Sequence, residues 1–223
     1  MIRIQLFPPP AHFEAQVRRP GRDFLRRIPH PTHKDWQKHN YWSHVHDDLV
    51  RLYDGICAYC ASWMPTVISN PQMRSSVDHF IPKSVSQPDA YEWTNLRICR
   101  RRMNQNKDEQ SILDPATIVN GWFQLDFDTF LIHPHRKLKA RQQEAIDDTI
   151  TQLDLNHSDY VGERADVVEQ YCTNQIDLPR VQRHFPFIAL EMRRISFDAT
   201  RKTRMRQRFE RLKTQGAKLN RNQ

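Results

Sequence analysis

Nowhere in its 223 residues does the chain approach the roughly 20 consecutive apolar residues that a membrane-spanning helix needs, so a helical membrane protein is excluded. Cysteine is scarce too. Cys57, Cys60, Cys99 and Cys172 are the only four, a set that fits a reducing compartment better than a disulfide framework. The amino terminus meets FPPP before any apolar run forms, so no secretory leader is expected and the cytoplasm is the expected location. Internal repeats and low-complexity tracts are missing, which argues against a solenoid. Apolar residues make up only 38% of the chain, lean for a globular protein. The length still allows one large domain, or two small ones, with a proper core.

Positive charge is what the chain has in quantity: 34 Lys and Arg against 26 Asp and Glu, a net +8. It is concentrated. Between residues 193 and 221 lie Arg193, Arg194, Arg201, Lys202, Arg204, Arg206, Arg208, Arg211, Lys213, Lys218 and Arg221, opposed only by Asp198 and Glu210. Arg97, Arg100, Arg101 and Arg102 form a second cluster. Phosphate is the expected partner of both, and nucleic acid the expected macromolecule.

Prolines punctuate residues 1–31 in FPPP, RRP and IPHP, and an extended Pro-rich arm is expected there. From Thr32 to Tyr53, Trp42, Val45, Leu49, Leu52 and Tyr53 recur at helical spacing until Asp54-Gly55 stops the run. The histidines of this segment alternate with its apolar positions, as on a solvated face, and nothing nearby completes a metal-ligand set. Short β-type segments are expected around SSVDHFIPKS, a helix with an arginine-rich face over Leu96–Lys107, and a strand or hairpin in WFQLDFDTFLI. Beyond Pro134 the chain reads as helical, with candidate helices at 136–153, 158–175 and 187–213.

One stretch carries chemistry. At this composition chance alone supplies about one Asp-His dipeptide, so Asp78-His79 means little by itself. Its surroundings add meaning. A Cys-x-x-Cys knuckle, Cys57 and Cys60, lies upstream. Asn95 follows His79 by sixteen positions, Asn104 follows Asn95 by nine, and Lys107 stands three further on.

With VDHFIPKS, AYEWTNLR, MNQNK and ILDP, this spacing resembles the HNH, or His-Me finger, endonuclease family over residues 55–115. The branch it looks like includes small bacterial nucleases encoded beside an ATPase in Septu-type antiphage systems. The resemblance implies an α+β fold: a ββα-metal (His-Me finger) core within a mostly helical chain. The expected division is an arm at 1–31, a nuclease domain at 32–135 and a basic helical region at 136–223. It also implies a metal-dependent endonuclease hydrolysing phosphodiester bonds, in DNA rather than RNA, serving antiphage defence, with a companion ATPase as a partner.

Hydrolysis of a phosphodiester needs a deprotonated water, a cation for the developing charge and a held geometry. A histidine with the usual pKa of about 6.5 suits the first task, so His79 is the expected general base. Asp78 and Asn104 offer hard oxygens suited to one Mg²⁺ or Mn²⁺. By resemblance Asn95 braces the loop that aims His79, which makes His79, Asn95 and Asn104 the catalytic set. Lys107, Arg97, Arg100 and Arg101 are the expected nucleic-acid contacts, and Lys83 reads as surface charge.

In relatives of this kind a second cysteine pair, five and eight positions after the middle Asn, closes a zinc site. Here those positions hold Arg100 and Met103, and Cys99 falls one position early. A guanidinium and a thioether do not replace two thiolates, so Cys57 and Cys60 read as a vestigial knuckle and zinc is not expected. The alternatives are an RNA-cleaving effector and a non-catalytic nucleic-acid-binding module on a decayed finger. An intact Asp78, His79, Asn95 and Asn104 weigh against decay, because binding alone needs none of them.

Overall fold

In the computed structural model, which describes residues 1–65 and 70–219, helices and two small sheets share a continuous core. Lys218 is placed along the last helix only by its backbone, and Arg221 lies outside the described residues. No helix among the described residues is long and apolar enough to cross a membrane.

The expected extended arm is only partly extended. Residues 1–10 hold no regular element, but a π-helical turn, Glu14–Arg18, runs directly into helix α1, Arg19–Arg27. Pro20, which has no amide proton to donate, falls in the first turn of α1 directly after the π-helical turn, where the backbone hydrogen bonds are already widened to i→i−5. Phe13, Val17 and Phe24 from this segment are buried. At full burial a phenylalanine contributes about 1.5–3 kcal/mol, which outweighs any preference for an extended arm. Gly21 allows the closest approach: a Cβ there would stand 2.1 Å from Tyr91 Cγ.

The segment expected as one helix from Thr32 to Tyr53 is divided. Helix α2, His33–Lys38, starts at a capping box in which the Asp35 amide donates to Thr32 Oγ1 (3.3 Å) and the Thr32 amide to Asp35 Oδ2 (2.8 Å). A 3₁₀ turn at Tyr41–Val45 then leads into α3, His46–Leu52. Asp54 and Gly55, both at positive φ, end it as the sequence anticipates.

Two antiparallel strands follow: β1, Ser75–His79, and β2, Leu96–Arg100, paired from Ser75 with Arg100 through to His79 with Leu96. Helix α4, Arg101–Lys107, continues without a break from β2. The helix expected over Leu96–Lys107 is therefore half strand. The backbone of β1 needs a hydrogen-bonding partner, and Leu96–Arg100 supplies it with all five residues buried. Tertiary pairing overrides the local helical pattern.

The hairpin expected in WFQLDFDTFLI is present as β3, Phe123–Leu125, and β4, Ile132–Pro134. Beyond it come α5, Ala140–Gln152; α6, Ser158–Cys172; α7, Leu178–His184; α8, Pro186–Arg194; and α9, Ala199–Leu219. The candidate helix at 187–213 is interrupted between α8 and α9, where Ser196 takes φ 51°. The separator DLPRVQRHFP contains α7, which Asp177 caps by accepting from the Arg180 amide at 2.9 Å.

Candidate active site

The β1–β2–α4 unit gathers the motif residues. His79 ends β1 and is 6% exposed. Its Nε2 lies 3.0 Å from the Ala90 carbonyl oxygen. A carbonyl only accepts, so Nε2 carries the proton and Nδ1 the lone pair. Trp42 meets the imidazole edge-on, with centroids 4.6 Å apart. Burial above all, then the charge of Lys83, lowers the His79 pKa to about 3; the Ala90 hydrogen bond opposes the shift and the charge of Lys107 adds to it. The ring is a neutral base across the physiological range.

Asp78 is 3% exposed. Burial raises its pKa, while Lys107 and the Tyr59 hydroxyl, which donates to Oδ2, favour the carboxylate. Lys107 Nζ lies 3.3 Å from both Asp78 oxygens and donates to the His79 carbonyl at 2.8 Å. Lys107 is fully buried. It therefore does not face the nucleic acid, as expected from sequence, but neutralises Asp78 from the inside. An unpaired carboxylate at that depth would take up a proton instead.

Asn95 holds the loop after β1. Its Oδ1 accepts from the Ile81 amide at 2.6 Å, and its Nδ2 donates to the carbonyls of Ile81 and Asp89 at 3.0 Å each. The Asp89 and Ala90 carbonyls are neighbours, so one amide side chain ties down the backbone that orients His79. Asn104, on α4, reaches back to β1: its Nδ2 donates to Ser76 Oγ (3.2 Å) and the Val77 carbonyl (3.1 Å). Its Oδ1 has no partner among the described residues.

A cavity of about 150 Å³ is lined by Asp78, His79 and Asn104 together with Lys83, Asp108 and Glu109. A larger one, about 390 Å³ beside Trp122 and Leu190, contains none of the motif residues. The motif residues bring a carboxylate, an amide side chain and a neutral imidazole to this cavity, beside the carboxylates of Asp108 and Glu109 and the ammonium of Lys83. Hard oxygens of this kind fit Mg²⁺ or Mn²⁺, with water and substrate completing the shell. Among the described residues no three His, Cys, Asp or Glu side chains gather as a ready metal cluster; Asp78 and Asn104 are the motif residues in this cavity whose oxygens could hold a divalent ion.

The arginines depart from expectation. Arg97 is 1% exposed, with Nη2 3.2 Å from Asp114 Oδ1 and Nη1 donating to the Thr94 carbonyl at 2.7 Å. Arg100 is fully buried and grips Glu163 at both oxygens, 2.5 and 2.9 Å. Both lie in β2, where they tie the strand to distant segments instead of facing solvent. Of the four expected contacts, Lys107, Arg97, Arg100 and Arg101, Arg101 is the exposed one, and its neighbour Arg102 pairs with Asp159 at 2.9 Å.

The knuckle positions do converge. Cys57 Sγ donates to Met103 Sδ at 3.8 Å and accepts from the Arg100 amide at 3.4 Å. Burial opposes ionisation of Cys60, but the Cys57 hydrogen bond and the Arg100 guanidinium outweigh it and lower the thiol to about 6. A thioether and an ion-paired guanidinium thus stand where relatives of the resembled family carry the second thiolate pair.

Several site residues had little sequence signal. Tyr59 lies between the two cysteines, Trp42 comes from a segment read only as helix, and Asp108 and Glu109 follow Lys107 directly. Lys83, read as surface charge, lines the cavity. Its proximity to Pro82 in the His79 motif was the available hint.

No curated protein matches the chain. Residues 57–112, from the first cysteine of the knuckle through β1, β2 and α4, match the HNH endonuclease family.

Proposed function

We propose that the chain is a metal-dependent HNH endonuclease that hydrolyses phosphodiester bonds in nucleic acid, with DNA as the substrate. The β1–β2–α4 unit is then a ββα-metal finger, residues 55–115 the core of a nuclease domain at 32–135, and residues 136–223 a basic helical region. The observation that carries the reading is the His79–Ala90 hydrogen bond. It leaves Nδ1 as a base in a side chain that lines the same cavity as Asp78 and Asn104.

His79 takes a proton from water at Nδ1. The water oxygen forms a bond to phosphorus, the bond from phosphorus to the 3′ oxygen breaks, and that oxygen leaves to be protonated. A divalent ion, Mg²⁺ or Mn²⁺, held by Asp78 and Asn104 would supply charge stabilisation at the phosphate and the leaving oxygen. Asn95 keeps the Ala90 segment in place and so fixes the imidazole tautomer. Lys107 keeps Asp78 ionised. Catalysis also asks for more than binding does, which weighs against a module that only holds nucleic acid.

The role in antiphage defence and the companion ATPase belong to the same proposal and rest on the resemblance of VDHFIPKS, AYEWTNLR, MNQNK and ILDP to the Septu-type branch of that family. Supercoiled plasmid incubated with the purified chain tests the chemistry. Nicking should require Mg²⁺ or Mn²⁺, stop with EDTA and return when the ion is restored. Nicking that persists in EDTA would defeat the metal-dependent reading, and an inert protein on both DNA and RNA would defeat the nuclease reading. Because zinc is not expected in the knuckle, EDTA should leave the melting temperature unchanged.

A further inference from the structure

We propose that Lys83, resting on Trp42 and Trp36, is a phosphate-binding subsite that takes a non-bridging oxygen of the scissile phosphodiester; this deepens the nuclease reading and rests on it for the identity of the substrate. The sequence places Lys83 in a Pro-Lys-Ser turn, an ordinary setting for a solvated lysine. The turn is tight, since the Pro82 carbonyl accepts from the amides of Val85 and Ser86, both at 2.9 Å. The side chain is only partly exposed. Its ammonium lies 4.6 Å from the ring centroid of Trp42 and 5.8 Å from that of Trp36.

An indole face holds an ammonium through its quadrupole without using any of the three N–H donors. Among the described residues no carboxylate or carbonyl bonds to Lys83, and burial lowers its pKa, opposed in part by Asp78. A partly exposed ammonium held by indole faces, with no carboxylate or carbonyl on it among the described residues, keeps its three N–H donors available to an anionic ligand.

The composition of the cavity bears on that ligand. Asp78, Asp108 and Glu109 form an acidic wall, and Lys83 is the only cation among the lining residues. Lys107 is committed to Asp78 and the His79 carbonyl. A phosphate brought to His79 would share the cavity with the carboxylates of Asp108 and Glu109 as well as Asp78, and Lys83 is the lining side chain whose charge attracts it. Trp42 contacts both the Lys83 ammonium and the His79 ring, so a phosphate oxygen on Lys83 lies beside the base that activates the water.

The test uses the full chain as wild type, Lys83→Met, Lys83→Arg and His79→Ala. Inorganic phosphate is titrated against chloride at equal ionic strength while tryptophan emission is followed, and plasmid cleavage is measured in parallel. Wild type and His79→Ala should show a saturable phosphate-dependent change, Lys83→Met should lose it and Lys83→Arg should keep it. Lys83→Met should also lose about a hundredfold in kcat with an unchanged melting temperature. Phosphate binding by Lys83→Met equal to wild type, no binding by wild type, or cleavage by Lys83→Met within about threefold of wild type would overturn the subsite. Phosphate bound through Lys83 by a chain that cleaves no nucleic acid would support the subsite while removing the nuclease reading.

Discussion

At His79 two neighbours decide the chemistry: the Ala90 carbonyl takes the Nε2 proton, and burial under Trp42 keeps Nδ1 unprotonated. The pH consequence follows in sign. An unfolded chain binds the imidazole proton at the ordinary value of 6.5, and the folded chain only near 3. The stability that His79 contributes is therefore complete above 6.5 and is lost as pH falls from there toward 3. The ring resonances of His79 should accordingly stay flat in NMR spectra from pH 8 to pH 5, and a midpoint near 6.5 would show that the imidazole is solvated. At this scale, what was legible followed from spacing. Asp78, His79, Asn95 and Asn104 line up in sequence because one strand, one loop and one helix must bring them together. The direction of a long side chain is not encoded that way. Lys107 and Lys83 look alike in sequence, yet one is sealed against Asp78 and the other lines the cavity.

Helix α1 and the turn containing Tyr91 illustrate what an element does for the site. Gly21 packs against the Tyr91 ring so closely that no side chain fits, and Tyr91 directly follows the residue whose carbonyl orients His79. Gly21→Ala should cost about 1–3 kcal/mol through overpacking, read by urea denaturation. It should also slow cleavage, because the displaced Tyr91 carries the Ala90 carbonyl with it. Full activity with unchanged stability would detach α1 from the site. This contribution was not legible, since a proline-rich start reads as an arm until Phe13, Val17 and Phe24 find a core to enter. The strand β2 escaped for a related reason. LRICRRRMNQNK has no turn residue near Arg100 to announce a change of element, and only pairing with β1 divides it there. The β3–β4 hairpin, by contrast, was legible because Phe123, Leu125 and Phe127 alternate with polar residues.

Across the whole molecule, positive charge that looked like one resource serves two ends. Arg97 and Arg100 are buried ion-pair partners that tie β2 to Asp114 and Glu163. On α9, Arg208 is bound to Asp128 and the Phe127 carbonyl, whereas Arg201 and Arg204 are exposed. Composition counts charges without revealing which are already paired. If α9 binds duplex phosphates, Arg201→Gln with Arg204→Gln should reduce the slope of log affinity against log salt by about 0.9 for every phosphate no longer neutralised. An unchanged slope would assign that face to solvent or to a protein partner.

The central claim is that His79 is the base in a metal-dependent cleavage reaction, and the His79→Ala chain tests it most directly. Single-turnover cleavage and affinity for the same DNA are measured side by side in Mg²⁺. The variant should bind DNA as wild type does and cleave it about 10²–10⁴-fold more slowly, because a general base acts in the transition state. Cleavage at the wild-type rate by a folded His79→Ala protein would contradict the account.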